Sequence, residues 1–134
     1  MSDIQKLVRV RDVMTQDFAM VDGLNTIKEA LQIYKRRDAS VLIVNKRHEN
    51  DEYGLLLLSD IAKKVLAKDR AVDRINVYEV MTKPVLGIDP NMDVRYCARM
   101  FENFGIGQAP VVENGEMIGV VTYDEIVLQG LNLD

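Results

Sequence analysis

Gly54-Leu55-Leu56-Leu57-Leu58-Ser59-Asp60-Ile61 and Gly119-Val120-Val121-Thr122-Tyr123-Asp124-Glu125-Ile126 are two versions of one pattern: a glycine, a short apolar run, then an acidic step into isoleucine. A second apolar run precedes each one. It is Val41-Leu42-Ile43-Val44 before the first and Ala109-Pro110-Val111-Val112 before the second, an offset of 68 positions. Further back, Val13-Met14-Thr15 recurs as Val80-Met81-Thr82, 67 positions later, and at that same offset Val21-Asp22 answers Ile88-Asp89 and Ile27 answers Val94. One tripeptide can recur by chance. A colinear series across nearly the whole chain is the mark of an internal duplication.

Each copy reads as β-α-β-β-α. The first strand is expected over Phe18 to Asp22, and over Val85 to Asp89 in the second copy. Thr26-Ile27-Lys28-Glu29 has the spacing of a capping box, and Ile27, Ala30, Leu31 and Tyr34 then fall on one helical stripe. In the second copy Asp93 is placed to cap, and Val94, Cys97, Ala98 and Phe101 repeat the stripe, with Gly105 as the helix C-cap. The apolar runs Val41–Val44 and Leu55–Leu58, like Ala109–Val112 and Gly119–Thr122, suit strands buried on both faces. Asn114-Gly115 is a hairpin signal, whereas the longer charged turn from Asn45 to Tyr53 is expected to project into water. Short helices should start near Ser59-Asp60 and near Asp124-Glu125. The expected class is α+β (mixed α/β): two βαββα repeats, 8–67 and 77–131, joined by a linker over 68–76. Halves of this size are marginal alone, so they are expected to cover each other about a pseudo-twofold axis.

Composition narrows the functions open to such a chain. Its 134 residues are 48% hydrophobic and 28% charged, which suits a folded domain. No apolar run is long enough for a membrane span, and the charged N-terminus is expected to carry no secretion signal. One cysteine, Cys97, excludes an intramolecular disulfide and fits a reducing cytoplasm. Residues 1–68 hold 12 Lys/Arg against 10 Asp/Glu, and residues 69–134 hold 5 against 11, giving the net charge of −4. The basic clusters Lys35-Arg36-Arg37 and Lys46-Arg47 are short, and the first suits the negative end of a helix dipole. Nucleic-acid binding through Arg36, Arg37, Lys46 and Arg47 is therefore the weakest reading.

Catalytic machinery is also missing. His48, the single histidine, belongs to a polar turn, and Cys97 lies on an apolar stripe where it acts as a small hydrophobe. Two such residues exclude the common zinc sites, and Gly105-Ile106-Gly107 follows a helix where a dinucleotide fingerprint needs a strand. The expectation is a non-enzyme that requires no cofactor and no metal.

The paired Val-Met-Thr openings, the Ala-Pro-Val-Val strand and the two Gly-initiated segments together resemble the cystathionine-β-synthase-type (CBS) domain pair, or Bateman module, over about residues 8–131. The resemblance implies a small stand-alone regulatory protein whose inter-repeat cleft holds AMP, ADP, ATP or S-adenosylmethionine. It implies that a Gly-h-h-[Ser/Thr]-x-x-Asp segment (h, apolar) holds ribose and phosphate. It also implies that the base is held by the first strand and by residues before the Pro-Val-Val strand of the other copy. A carboxylate can accept hydrogen bonds from both ribose hydroxyls, and apolar strand residues make a slot for adenine. Carried over residue by residue, the preferred cleft comprises Ser59, Asp60, Thr82, Lys83, Val85, Ile106, Gly107 and Gln108. Lys83 is its candidate cation, and Leu57 stands where the hydroxyl residue belongs. The second cleft comprises Thr122, Asp124, Glu125, Thr15, Phe18, Asp38, Ala39 and Ser40, with Glu125 in place of the aspartate.

Most of these residues also have a structural role. Asp60 is suited to capping its helix, Thr122 to packing at a strand end, and Thr15 and Thr82 to starting strands. The function expected is a sensor that binds an adenine nucleotide and signals to a protein effector in trans. The alternative is a ligand-free dimerisation module with decayed sites. The resemblance further implies a homodimer built on the short helices near 60–68 and 125–131.

Overall fold

Thr26 and Glu29 close the expected capping box. The Thr26 N–H donates to Glu29 Oε1 at 2.8 Å and the Glu29 N–H to Thr26 Oγ1 at 3.1 Å. In the computed structural model, which describes residues 7–37, 41–83 and 87–131, this box opens helix α2, Ile27–Arg37. A short turn of helix, α1 (Val10–Val13), and strand β1 (Phe18–Val21) precede it. Strands β2 (Val41–Val44) and β3 (Gly54–Leu56), helix α3 (Leu58–Lys64) and 3₁₀ turns at Leu66–Lys68 and Val77–Glu79 follow. The second copy contributes α4 (Val94–Phe104), β4 (Gln108–Glu113), β5 (Glu116–Thr122) and α5 (Tyr123–Gly130). Small sheets flanked by helices agree with the expected class.

The chain divides into two compact units that are not consecutive in sequence: residues 17–85, and residues 1–16 with 86–134. In the first unit β1 runs parallel to β2, which pairs antiparallel with β3. All four β2 residues are buried, and Leu42 and Val44 share a core with Ala19, Val21, Ile27, Leu56 and Val80. In the second unit β4 and β5 form the hairpin expected from Asn114-Gly115, both at positive φ, 54° and 79°. The counterpart of β1 is a parallel bridge from Ile88 to Val111; Val85 and Leu86, expected to start that strand, lie outside the described residues. Asp93 caps α4 by accepting from the Arg95 N–H at 2.8 Å, and Gly105 ends the helix at φ 66°.

Each unit is completed by a segment from the other repeat, in matching ways. The orphan N–H groups of a first helical turn need external acceptors. Ile27 and Lys28 donate to Ile75 O and Val72 O, at 2.8 and 2.9 Å, within the stretch expected to be a linker. Val94, the counterpart of Ile27, donates to Val8 O at 3.0 Å. Thr82 exchanges backbone bonds with Leu55 at 2.8 and 3.0 Å, and Thr15 does the same with Val120 at 2.8 and 2.9 Å. Each Val-Met-Thr opening thus pairs with the Gly-initiated strand of the other copy.

Two expectations are corrected. The strand expected over Leu55–Leu58 stops at Leu56, because extended Leu57 (φ −94°, ψ 136°) turns the chain directly into α3 and leaves Leu58 46% exposed. The charged turn 45–53 does not project wholly into water, because Asp51 folds its side chain inward.

Candidate functional site

The first candidate half-site grows from β3. The strand delivers the chain into α3, whose first turn carries Ser59 and Asp60. Asp60 was expected to cap this helix through its side chain. Instead Leu57 is the N-cap, with no side-chain bond, and the Asp60 backbone N–H donates to Leu57 O at 3.0 Å. The helix begins before Ser59, so the Asp60 carboxylate lies three residues past the capping position. It is half-buried, and among the described residues no hydrogen bond or ion pair engages it. Thr82, exposed, is fixed alongside β3 by its bonds to Leu55.

Lys83 follows Thr82 antiparallel to β3 and so lies toward the β2–β3 turn, away from Asp60. Its Nζ meets Asp51 Oδ2 at 2.6 Å, with the two side chains 17% and 8% exposed. The same oxygen accepts the Arg47 backbone N–H at 2.8 Å and Arg47 Nε–H at 3.1 Å. The Lys83 ammonium, then the Arg47 N–H groups, hold the Asp51 carboxyl far below the usual carboxylate range against the opposing effect of burial. The candidate cation of this half-site is therefore already paired. Asp51 was missed because five charged residues in one turn read as solvated, and nothing local says which turns inward.

The second candidate half-site grows from β5 and α5. Thr122 was expected to pack at the strand end; it is the N-cap of α5, its Oγ1 accepting from the Glu125 N–H at 3.3 Å. Asp124 and Glu125 occupy the first turn, where acidic groups suit the positive end of the helix. Gln108 lies opposite Thr122 in the hairpin, and the Tyr123 N–H donates to Gly107 O at 3.1 Å. A Cβ on Gly107 would stand 3.3 Å from the Tyr123 ring, which also packs edge-on to Phe101 at 5.3 Å. Gly107 and Gln108, assigned from the resemblance to one cleft, thus adjoin Thr122, assigned to the other. Half-buried Ile106 packs against the core of this unit, and Thr15 pairs with Val120 within it. Phe18 lies in the other unit, at the start of β1. Val85, Asp38, Ala39 and Ser40 lie outside the described residues.

The remaining chemistry is sparse. Burial pushes the Cys97 thiol up to about 11. Among the described residues no cluster of His, Cys, Asp and Glu could hold a metal ion, and no helix is long and apolar enough to cross a membrane. A hollow of about 310 Å³, lined by Met20, Ile33, Arg36 and Arg37, involves none of the expected site residues. In the second basic cluster Arg47 pairs with Asp51, and Lys46 lies over the Tyr53 ring at 5.3 Å.

The model of the CBS domain matches residues 10–67 and 77–130. The chain belongs to the CBS-domain family. CBS domains are in general regulatory and not catalytic. A hexameric CBS-CP12 protein from bloom-forming cyanobacteria is 31% identical, superimposes with a TM-score of 0.87, and covers 93% of this chain and 73% of its own. A CBS domain pair solved in complex with 5′-methylthioadenosine and S-adenosyl-L-methionine is 24% identical, with a TM-score of 0.76 over 91% of this chain and 94% of that one. At that identity the likeness establishes a shared fold. A homoserine O-acetyltransferase of Methanosalsum zhilinae is 32% identical over 89% of this chain, but the match spans 23% of its length. Another curated relative, from Methanopyrus kandleri, is spanned to 61%. The chain thus spans less than two thirds of the length of either curated relative.

Proposed function

We propose that the chain is a non-catalytic sensor that binds an adenosyl ligand (AMP, ADP, ATP or S-adenosylmethionine) and signals its occupancy to a partner protein as a cytoplasmic homodimer. The observation that carries this reading is the unengaged, half-buried carboxylate of Asp60 at the step from β3 into α3. A carboxylate there is free to accept from both hydroxyls of a ribose. The adenosyl ligands of the CBS pair with the same fold support that ligand class. The acetyltransferase relative is no guide to the activity, because this chain corresponds to less than a quarter of it.

Thermal unfolding with AMP, ADP, ATP, S-adenosylmethionine and NAD, repeated on Asp60→Ala, tests the reading. A ligand at about 100 times its dissociation constant adds roughly 2.7 kcal/mol. A rise in midpoint that disappears in the variant supports it; no rise with any compound at millimolar concentration removes it.

The second reading, dimerisation without ligand, is favoured by Leu57, which brings no hydroxyl to the strand–helix junction. It predicts a stable dimer whose melting is indifferent to every compound in that panel.

A further inference from the structure

We propose that Asp51 sets ligand selectivity: standing as a built-in anion on Lys83, it makes the Asp60 half-site favour phosphate-free adenosyl compounds over AMP, ADP and ATP. The inference rests on the reading of Asp60 as a ribose contact.

Geometry fixes both ends of the pair. The Thr82–Leu55 backbone bonds clamp residues 81–83 along β3. Lys83 is thereby held beside the start of the strand, while Asp60 follows its end. Three extended residues separate the two by roughly 10 Å along the strand, a length a nucleoside phosphate can span. At the Lys83 end the ammonium is met at 2.6 Å by Asp51 Oδ2, with both side chains largely enclosed. Arg47 closes the turn onto the same oxygen, but at 73% exposure its guanidinium is screened by solvent. A phosphate reaching Lys83 would meet an ammonium already neutralised by this carboxylate, and would have to displace a bond made in a poorly solvated place. A ligand carrying no negative charge meets no such opposition. The carboxyl, held below its ordinary range by the Lys83 ammonium and the Arg47 N–H groups, is anionic at neutral pH.

Isothermal titration of the full chain with 5′-methylthioadenosine and with AMP separates this role from that of a mere strut. The wild type is expected to bind 5′-methylthioadenosine the more tightly. Asp51→Asn should raise the AMP affinity by about tenfold while leaving the thioether nucleoside within about twofold. The gain should vanish in the double variant D51N/K83M, in which no freed cation remains. Equal losses for both ligands in Asp51→Asn would overturn the proposal, leaving Asp51 as a brace for the turn. If the variant melts too low to titrate, adenosine against AMP on the wild type decides, and tighter binding of AMP overturns the idea. If neither nucleoside nor nucleotide binds any of these proteins, the adenosyl reading itself falls and this proposal goes with it.

Discussion

Cys97 is fully enclosed on the inner stripe of α4, and burial pushes its thiol from the ordinary 9.0 up to about 11. An unfolded chain releases this proton near pH 9, whereas the folded one retains it until about pH 11. The raised pKa therefore leaves stability intact below pH 9 and erodes it as pH rises toward 11. Urea midpoints measured from pH 8 to 11 should fall in the wild type, and Cys97→Ala should remove the part of that slope contributed by the thiol. The buried position was legible from the stripe of Val94, Cys97, Ala98 and Phe101. The site residues were less so. Asp60 could be proposed because its motif is local. Asp51 could not, because its inward turn depends on Lys83, 32 positions away.

Among the elements, those with local chemical signals were readable: the Thr26–Glu29 box, the Asp93 cap and the Asn114-Gly115 turn all formed as expected. The end of β3 was not, since Leu55 to Leu58 is uniformly apolar and only tertiary contacts say where strand gives way to helix. Nor was the crossing of the two openings foreseen, although its trace is in the duplication. Every Val-Met-Thr has a matching glycine strand, and the methionine lies over the glycine of the other copy. A Cβ on Gly119 would stand 2.9 Å from Met14 Sδ and 3.2 Å from Thr15 O; on Gly54 it would stand 3.0 Å from Met81 Sδ. The methionine tip can move, but the Thr15 carbonyl is held by its bonds to Val120. Gly119→Ala is therefore expected to cost about 1–3 kcal/mol of stability by overpacking. Combining it with Met14→Ala should cost less than the sum of the two, in a urea double-mutant cycle. Strict additivity would mean that the methionine does not rest on the glycine.

At the scale of the whole molecule, both units present apolar side chains on the helices that end the repeats. Leu58 and Leu66 are 46% and 76% exposed in the first unit, and Val127 and Leu128 are 48% and 63% exposed in the second. Single exposed leucines are ordinary, but Val127 and Leu128 are neighbours on α5, and Leu58 on α3 and Leu66 on the 3₁₀ turn after it add apolar surface at the end of the first repeat, as a self-complementary surface requires. The interleaving adds a reason for these surfaces to be shared between copies. Each opening segment is spent completing the opposite repeat's core, through Val10 and Val13 in one unit and Val77 and Val80 in the other. The outer helical faces leave apolar area open to a partner. The hexameric state of the cyanobacterial relative makes assembly a property of at least one similar chain. Placing a charge on the outer face of α5, where it costs the monomer little, isolates the question. If the proposed homodimer is built on α5, Leu128→Asp is expected to convert it to a monomer by light scattering while leaving the circular dichroism spectrum unchanged, because a buried carboxylate without a partner opposes association strongly. A variant that keeps the dimeric mass would place the interface away from α5, and the same substitution at Leu66 would then test the first unit's helices.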